Sequence, residues 1–247
     1  MSDTPASVLV LGATSDIGRA LAREYAAAGC PVHLAARDTE RLAQERDDLV
    51  ERYRVEVTVH RLDILDPGDD ERLLAGLDPL PAVTLCVIGL MAPQAEVEAD
   101  PARAERVFQV NFNGPARLLG RIANRCAERG SGSIVGVSSV AGDRGRATNY
   151  VYGSAKAGFS AWLSGLRNRL AGSGVHVMTV KPGFVRTRMT EDLALPGALT
   201  ASAEEIARAI RHAQARGRDV IYRRRIWRLV MLAIRCIPER LFKRMAL

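Results

Sequence analysis

The chain has 247 residues, 47% hydrophobic and 26% charged, a composition typical of a globular protein with a substantial core rather than a disordered chain. Its four cysteines and four histidines are scattered, with no CxxC pair, so the sequence predicts neither a disulfide framework nor a metal site. The net charge of +7 comes from the C-terminal part, where 12 basic residues after position 205 stand against two acidic ones.

Short apolar runs alternate with segments of helical periodicity along most of the chain. The strands are predicted at 6–11, 31–36, 55–62, 83–88, 132–138 and 175–180. The helices are predicted at 17–28, 39–52, 101–128 and 150–171. This alternation indicates right-handed crossovers and a parallel sheet covered by helices on both faces. We therefore expect an α/β fold, a doubly wound Rossmann sheet that forms a single domain over residues 1–200, followed by a C-terminal extension at 201–247.

The first turn, LGATSDIG (11–18), joins the first predicted strand to the first helix. A glycine-rich loop at this place can hold a phosphate on backbone N–H groups at a helix N-terminus, whereas the alternative is a plain tight turn. Asp16 stands where the middle glycine is expected, so its carboxylate must point away from a bound pyrophosphate. The predicted cofactor contacts in this loop are Gly12, Thr14, Ser15, Asp16, Ile17 and Gly18.

The ends of the second and third strands each carry a charge that bears on the choice of cofactor. Arg37 follows the second strand, where an arginine can pair with a 2′-phosphate, whereas an acidic residue binds the ribose 2′-hydroxyl. This favours NADP(H), with NAD(H) as the alternative, over a merely solvated charge at the start of a helix. Asp63 closes the third strand, where its carboxylate can accept a hydrogen bond from the adenine amino group.

A tyrosine and a lysine four residues apart occur in VYGSAKAG (151–158), in a chain with three lysines among its 35 basic residues. Tyr152 and Lys156 share one face of the predicted helix, which brings an ammonium near a phenol. A positive charge favours the phenolate and lowers the pKa of the tyrosine from about 10, so that it can exchange a proton with a carbonyl or an alcohol. The alternative is a surface pair on an amphipathic helix.

Other residues in the same order decide between these interpretations. Ser139 ends a predicted strand thirteen residues before Tyr152, and Asn111 lies inside a long predicted helix, where an amide side chain is a poor helix former. With the glycine loop, Asp63 and PGFVRT (182–187), this order resembles the classical short-chain dehydrogenase/reductase family over residues 7 to about 190.

The resemblance implies a role for each matching residue. Tyr152 is then the proton donor or acceptor, and Ser139 polarises the substrate carbonyl. Lys156 lowers the pKa of Tyr152 and binds the nicotinamide ribose, while Asn111 holds the water of a proton relay. The family's NNAG appears here as CVIG (86–89), so only its glycine matches. The resemblance further implies homodimers or homotetramers formed through the two long helices. The remaining implied cofactor contacts are Gly89, Pro182, Gly183, Val185 and Thr187.

Two loops expected near the substrate carry arginines. DRGRATN (143–149) lies between Ser139 and Tyr152, and further arginines follow the PG turn. Guanidinium groups from two loops can clamp an anion such as phosphate, whereas the alternative is a solvated rim in an arginine-rich protein. The candidate substrate contacts are Arg144, Arg146, Arg186 and Arg188.

The C-terminal extension is predicted to contain a basic amphipathic helix. Arg224, Arg228 and Arg235 fall within about 40° of one another on a helical wheel, with Trp227 at another angle. The apolar run at 226–237 is shorter than the roughly 20 residues that span a bilayer. The helix then lies on an anionic membrane surface with Trp227 at headgroup level, or it packs on the core or on a partner subunit. Nucleic acid is not an expected partner, because stacking aromatics do not alternate with the basic residues.

Three stretches narrow the resemblance: SSVAGDRGRATNYVYGSAKAG (138–158), PGFVRTRMT (182–190) and IPERLFKRM (237–245). They resemble the decaprenylphosphoryl-2-keto-pentose (D-erythro-pentofuranosid-2-ulose) reductase subgroup, which implies NAD(P)H-dependent reduction of a polyprenyl-phosphate-linked 2-keto sugar. The alternatives are a reductase of a long-chain lipid ketone and a non-catalytic dinucleotide-binding membrane adaptor. The first residues lack a basic stretch and their apolar run is too short for a signal peptide, so we expect a cytoplasmic enzyme at the inner face of the membrane.

Overall fold

The computed structural model describes residues 5–191, 196–224 and 226–245. Within these residues the strands are β1 (Val8–Leu11), β2 (Val32–Ala36), β3 (Val57–Arg61), β4 (Val83–Cys86), β5 (Gly132–Val137), β6 (Val175–Pro182), β7 (Phe184–Arg186), β8 (Thr200–Ser202) and β9 (Val220–Arg223). The helices are α1 (Asp16–Ala26), α2 (Thr39–Tyr53), α3 (Pro67–Ala75), α4 (Gln94–Ala99), α5 (Pro101–Phe108), α6 (Gly114–Arg129), α7 (Tyr150–Leu170), α8 (Ala203–Gln214), α9 (Ile226–Cys236) and α10 (Glu239–Phe242).

A parallel sheet in the order β3-β2-β1-β4-β5-β6-β9 forms the centre of the described structure, and β7 pairs with β8 apart from it. The fully buried side chains of β1 show how this sheet separates two cores. Val8 and Val10 point to the face covered by α1, α2 and α8, while Leu9 and Leu11 point to the face covered by α3, α6 and α7. Burial on both faces explains why the strands appear in the sequence as continuous apolar runs.

The strand order reverses beside β1, because β2 lies on one side of it and β4 on the other. Loops leaving the carboxyl ends of these strands diverge and open a crevice, where doubly wound sheets bind their ligands. Gly12 follows β1 at this edge with a φ of +87°, and a Cβ atom on it would lie 3.1 Å from the backbone nitrogen of Ile88. Backbone conformation and close approach therefore both require glycine at the floor of the crevice.

The predicted α/β fold is confirmed, and each predicted strand begins and ends within two residues of an observed one. The predicted helix at 101–128 is interrupted, since a π-helical turn, Gln109–Asn113, separates α5 from α6. The sheet also continues past residue 200, where the domain was expected to end, because α8 and β9 lie beyond that point. The extension that follows the sheet is correspondingly shorter and begins at Arg224.

The C-terminal segment packs on the body of the protein through α9. Trp227 and Met231 are buried, and the Trp227 indole donates a 3.0 Å hydrogen bond to the Leu199 carbonyl. The expectation that Trp227 lies at headgroup level is therefore wrong, because its side chain faces the core. The opposite side of α9 carries Leu229 and Leu232, which are 67% and 57% exposed. None of the described helices is long and apolar enough to cross a membrane.

Candidate active site

A cleft of about 600 Å³ opens at the carboxyl edge of the sheet, among the loops that follow β1, β2, β3 and β4. The predicted cofactor contacts that line it are Gly12, Thr14, Ser15, Arg37, Asp63 and Gly89. The predicted contacts that lie outside its walls are Asp16, Ile17, Gly18, Tyr152, Lys156, Pro182, Gly183, Val185 and Thr187. Side chains that sequence reasoning missed include Arg41, Arg106 and Met189. Of these three residues, only Arg41 could have been predicted from the sequence, because it lies one helical turn after Arg37, which was already a predicted cofactor contact.

The glycine loop is packed tightly against the first helix. Ser15 caps α1, because its Oγ accepts a 3.1 Å hydrogen bond from the Gly18 N–H and donates one of 2.8 Å to the Gly12 carbonyl. A Cβ atom on Gly18 would meet the Gly12 carbonyl oxygen at 2.5 Å, so only glycine fits between the loop and the helix. This packing places the N-terminus of α1 beside the cleft, where its dipole favours a phosphate.

Asp16 and Arg188 form an ion pair beside this cleft. The Asp16 carboxylate accepts hydrogen bonds from the Arg188 backbone N–H at 2.8 Å and from its Nε at 3.2 Å. Arg188 Nη2 also donates to the Thr14 carbonyl at 2.6 Å, which fastens the segment after β7 to the glycine loop. The guanidinium partly neutralises an aspartate that would otherwise repel a pyrophosphate. Arg188 was expected at the substrate rim, and the structure instead places it in the wall of the cofactor cleft.

Three arginines that line the cleft make no ion pair with any described residue: Arg37, Arg41 and Arg106. Asp63 lines it as well, and its Oδ1 accepts a 3.0 Å hydrogen bond from the Leu65 N–H, which fixes the carboxylate. Unpaired guanidinium groups on a concave surface suit phosphate groups. The cleft therefore fits a phosphorylated dinucleotide, held by the glycine loop at its floor and by arginines at its walls.

The Ser139 hydroxyl interacts with the Tyr152 phenol and lowers its pKa, although the two side chains come from different elements. Ser139 follows β5 and caps a short 3₁₀ turn, where its Oγ accepts a 3.1 Å bond from the Ala141 N–H. Tyr152 lies in the first turn of α7. The neighbouring Ser138 is buried, and its Oγ donates to the Lys156 carbonyl at 2.9 Å, which holds α7 against β5. Ser139 is thus the hydroxyl that faces the tyrosine.

Lys156 is buried beside the tyrosine, with its Nζ 5.8 Å from the centre of the Tyr152 ring. The ammonium donates to the Val137 carbonyl at the end of β5, at 3.2 Å. A Cβ atom on Gly89 would lie 3.5 Å from Nζ, so the glycine lets the ammonium approach the wall of the cofactor cleft. Lys156 therefore lies between the tyrosine and the cleft, where it can act on both.

Burial controls the ionisation of both residues. It raises the pKa of Tyr152 to about 12, and the hydrogen bond with Ser139 opposes that rise. It lowers the pKa of Lys156 to about 8, while the nearby Cys86 thiol acts in the opposite direction. Lys156 was expected to lower the pKa of Tyr152, but burial dominates in this geometry. At neutral pH the tyrosine is a neutral acid beside a mostly charged lysine, which suits donation of a proton to a carbonyl oxygen.

Asn111 is buried in the π-helical turn between α5 and α6. Its Nδ2 donates to the carbonyls of Leu90 at 2.7 Å and Val107 at 2.9 Å, and its Oδ1 accepts from the Leu90 N–H at 3.1 Å. These bonds hold the loop that contains Gly89 against the helix. Both amide hydrogens are used, so the side chain can hold a water only through its oxygen.

A buried ion pair anchors the loop that carries Ser139. The Asp143 carboxylate, 2% exposed, accepts hydrogen bonds from Lys181 Nζ at 2.5 Å and from the Tyr222 hydroxyl at 2.8 Å. Lys181 immediately precedes the PG turn, and Tyr222 lies opposite it on β9. Burial first, and then Asp143, raises the pKa of Tyr222 to about 12, so this hydroxyl remains a donor at neutral pH. Asp143 therefore ties the Ser139 turn to two strands of the sheet.

Arg144, expected to bind substrate, instead holds the C-terminal segment. Its guanidinium pairs with Glu239 at 2.8 Å and lies 4.0 Å from the centre of the Phe242 ring. Because carbonyls at a helix C-terminus carry partial negative charge, a cation is stabilised there. At 2.8–3.2 Å the guanidinium donates to three such carbonyls at the end of α9: those of Ile234, Arg235 and Ile237.

Arg146 is the other arginine of this loop, and it is half-buried. Its Nε is buried without a hydrogen-bond partner in the part of the chain that is described, and so is Asn149 Oδ1. Burial lowers the pKa of Arg146, with no carboxylate to oppose it. A partly buried guanidinium without a counter-charge is unfavourable, so an anion that reaches it is bound favourably. Arg186 is exposed on β7 and pairs with no described carboxylate.

Comparison with known proteins shows the family to which this chain belongs. The family model described as short chain dehydrogenase matches residues 6–196. An uncharacterised oxidoreductase of Mycobacterium tuberculosis is 36% identical over 250 residues, or 99% of either chain. Sulfoacetaldehyde reductase 2 of Chromohalobacter salexigens is 35% identical over 191 residues, or 74% of either chain. The structure of a short-chain dehydrogenase from Sphingobium yanoikuyae in complex with NADPH has a TM-score of 0.82 and 25% identity, covering 95% of this chain and 97% of that one.

The fold and the site define an oxidoreductase that binds a nicotinamide dinucleotide at the carboxyl edge of a Rossmann sheet. The chain belongs to the short-chain dehydrogenase family.

Proposed function

We propose that the protein reduces a ketone to an alcohol with NADPH, and that Tyr152 gives its proton to the carbonyl oxygen. The observation that carries this proposal is the position of the Lys156 ammonium, 5.8 Å from the centre of the Tyr152 ring and beside the cofactor cleft, with the Ser139 hydroxyl acting on the same phenol. NADPH, when bound, supplies the hydride. The Ser139 hydroxyl acts on the Tyr152 phenol, so both hydroxyls can donate to the oxygen of one bound carbonyl.

The residues around the tyrosine stabilise the charge that develops as its proton leaves. Lys156 places an ammonium in a buried setting, where it stabilises a phenolate more strongly than it would in water. From the same position it can bind the nicotinamide ribose. Asn111 keeps the Gly89 loop in place and offers its oxygen to a relay water.

NADP(H) is supported over NAD(H) by the charges that follow β2. Arg37 and Arg41 line the cleft without an ion-pair partner among the described residues. The nearest acid in sequence is Asp38, whose carboxylate caps α2 by accepting a 3.0 Å hydrogen bond from the Arg41 N–H. The Sphingobium neighbour was solved in complex with NADPH, which is consistent with this choice.

We propose further that the ketone carries an anionic group and that Arg146 binds it. The buried, unpaired Nε of Arg146 lies in the loop between Ser139 and Tyr152. The Chromohalobacter relative is named for sulfoacetaldehyde, a small carbonyl compound with a sulfonate, which supports an anion close to the reacting carbon. A 2-keto sugar linked to a polyprenyl phosphate is the substrate class that satisfies both this anion site and the resemblance to the keto-pentose reductases.

A lipid-linked substrate also gives a function to the C-terminal segment. The exposed Leu229 and Leu232 of α9 are bordered by Arg228 and Arg235, a combination that suits the surface of an anionic bilayer at the cytoplasmic face. Arg144 joins the same helix to the substrate loop. A homodimer or homotetramer assembled through α6 and α7 completes the proposal, and light scattering of the purified protein tests it.

The substrate proposal is tested by following NADPH oxidation with three ketones: a polyprenyl-phosphoryl 2-keto-pentose, its phosphate-free glycoside and a long-chain lipid ketone. Arg146→Ala should raise KM for the phosphorylated ketone about tenfold with kcat nearly unchanged, because it removes binding rather than chemistry. Arg121→Ala, on the exposed side of α6, is the matched control. Turnover of the lipid ketone alone would overturn the anionic substrate, and tight NADPH binding without turnover of any ketone would favour a non-catalytic adaptor.

A further inference from the structure

A second concave surface, larger than the cofactor cleft, lies along β9, the strand at one end of the sheet. It encloses about 910 Å³ between α8, β9 and the start of α9. We call it the basic groove, because five arginines and a histidine line it together with one carboxylate, that of Glu205. The arginines are Arg208, Arg216, Arg218, Arg223 and Arg228.

The single carboxylate of the basic groove is already engaged. Glu205 Oε2 accepts a 3.0 Å hydrogen bond from the Ser202 N–H in the capping box of α8. Glu205 also lies 3.6 Å from the guanidinium groups of Arg223 and Arg224. It therefore cannot neutralise the rest of the groove, and Arg223 Nε remains buried without a hydrogen-bond partner among the described residues.

The other arginines of the groove are not paired as Arg223 is, although the charge of Arg208 acts on the Glu204 carboxylate one helical turn before it. Throughout the described ranges, no ion pair forms at Arg208, Arg216, Arg218 or Arg228. On α2, in contrast, the surface arginines Arg46 and Arg52 each pair with an aspartate. The cofactor cleft shows a comparable gathering of unpaired arginines on a concave wall, and there the fit is to phosphate groups. The same electrostatic reasoning assigns a phosphate-bearing ligand to the basic groove.

Exposed apolar residues at the rim of the basic groove favour a lipid headgroup over a free phosphate as its ligand. Val220, which lines the groove, and Ile226 beside it are both exposed apolar residues, and the exposed Leu229 follows Arg228 directly. Apolar side chains next to arginines suit a surface that meets headgroups and acyl chains together. A second copy of the chain is a poor occupant, since like charges would face each other across the contact.

We propose that the basic groove binds the phosphorylated headgroup of an anionic lipid and so docks the enzyme on the membrane. The inference rests on the membrane contact in the proposed function and deepens it, because it extends headgroup recognition from the C-terminal segment to α8 and β9. It does not involve the groups that reduce the ketone.

The test compares two double variants of the full-length protein in vesicle sedimentation. Arg208→Gln with Arg216→Gln removes two groove charges, and Arg46→Gln with Arg52→Gln removes two charges from α2. With vesicles of phosphatidylcholine plus phosphatidic acid, the groove variant should bind about twenty-fivefold more weakly than the wild type, taking roughly a factor of five for each arginine. The α2 variant should lose less than about threefold. Thermal unfolding and reduction of a water-soluble ketone should be unchanged in both.

Each outcome decides the proposal. Equal vesicle binding by the two double variants would overturn the groove as the headgroup site while leaving the membrane contact standing. A wild type that does not bind the acidic vesicles, but gains thermal stability from inorganic phosphate, would show a free-phosphate site and overturn the lipid. Failure of the ketone assay, with vesicle binding lost as expected, would overturn the reductase proposal and leave the groove intact.

Discussion

The cofactor side and the substrate side of this site are built from different kinds of contact. On the cofactor side, hydrogen bonds link Ser15 to Gly12 and Gly18 to Ser15. Each bond joins residues three apart in the sequence and uses a backbone atom of the glycine. On the substrate side, Asp143 bonds to a residue 79 positions away and Arg144 to one 93 positions away. The glycine loop is therefore encoded by a short motif, whereas the loop with Asp143 and Arg144 depends on the completed fold, as does the Asp16–Arg188 pair beside the cofactor cleft.

Removing the Tyr152 hydroxyl, the proposed general acid, should have the largest effect on activity. Tyr152→Phe keeps the ring but loses the proton, so kcat should fall by about a thousandfold, within the range for a general acid. The Kd for NADPH should change less than about twofold, because the tyrosine does not line the cleft. Steady-state kinetics and fluorescence titration of NADPH measure the two quantities. A variant with near-wild-type kcat would remove Tyr152 from the chemistry.

Breaking the buried ion pair between Asp143 and Lys181 tests whether the loop between Ser139 and Tyr152 is stabilised by its bonds to the sheet. Asp143→Ala leaves the Lys181 ammonium and the Tyr222 hydroxyl without their partner, so the free energy of unfolding should fall by about 3 kcal/mol. Urea denaturation measures the change. Asp219→Ala, which removes an exposed partner of Arg167, is the control and should cost less than about 0.5 kcal/mol. Equal losses in the two variants would mean that Asp143 is not an anchor.

The buried lysine gives the substrate side a dependence of stability on pH. The pKa of Lys156 is about 8 in the folded protein and 10.5 in an ordinary setting, so the unfolded chain binds more protons between these values. Stability should therefore rise with pH there, and the wild type should gain about 2 kcal/mol over Lys156→Met between about pH 7.5 and about pH 9.5. Tyr152 has a raised pKa and acts oppositely only above about pH 10. Urea denaturation at each pH gives the difference, and parallel curves would contradict the burial of a charged lysine.

Releasing the C-terminal segment from the loop that carries Arg144 should have a smaller effect on activity than Tyr152→Phe. Arg144→Ala removes the bonds to the end of α9, so kcat/KM should fall about tenfold while NADPH binding stays constant. Acrylamide should also quench Trp227 fluorescence more strongly in this variant. Arg240→Ala, on the exposed side of α10, serves as the control. Unchanged kinetics together with greater quenching would show that the segment moves without affecting catalysis.

The smallest effect is expected on the cofactor side, at the exposed pair of Asp16 and Arg188. Arg188→Ala leaves the aspartate unneutralised beside the cleft, so the Kd for NADPH should rise about threefold, as expected for a surface ion pair. Adding Asp16→Asn should restore the affinity, because it removes the charge that repels the cofactor. Titration of NADPH into the single and double variants completes the cycle. A double variant as weak as the single one would assign the loss to Arg188 alone.

The same contrast between local and distant contacts decides which parts of the structure could be predicted from the sequence. The sheet was predictable because strands buried on both faces are continuous apolar runs, and the glycine loop because its contacts are local. Tyr152 and Lys156 were recognisable from their helical spacing together with the residues that accompany them, Ser139 and Asn111. Asn111 carried a signal as a poor helix former, and the structure places it in a π-helical turn.

Other features had no local signature. Trp227 looks like an interfacial residue in sequence, yet Gly183 leaves room for its indole against the PG turn, so it is buried. Arg144 and Arg188 look like free charges, and their partners belong to elements distant in the chain. Strand β9 follows a helix of ordinary pattern and is partly exposed, so it lacks the long apolar run that identified the central strands. Such contacts form only when the fold is complete.

The most direct test of the account is to give the protein NADPH carrying deuterium at nicotinamide C4 and to analyse the product of the phosphorylated keto sugar by mass spectrometry. The account predicts an alcohol with one deuterium on the carbinol carbon from the wild type, and about a thousandfold less of it from Tyr152→Phe. Bound NADPH with no deuterated alcohol from any ketone tested would contradict the reductase and leave a protein that uses this cleft for binding alone.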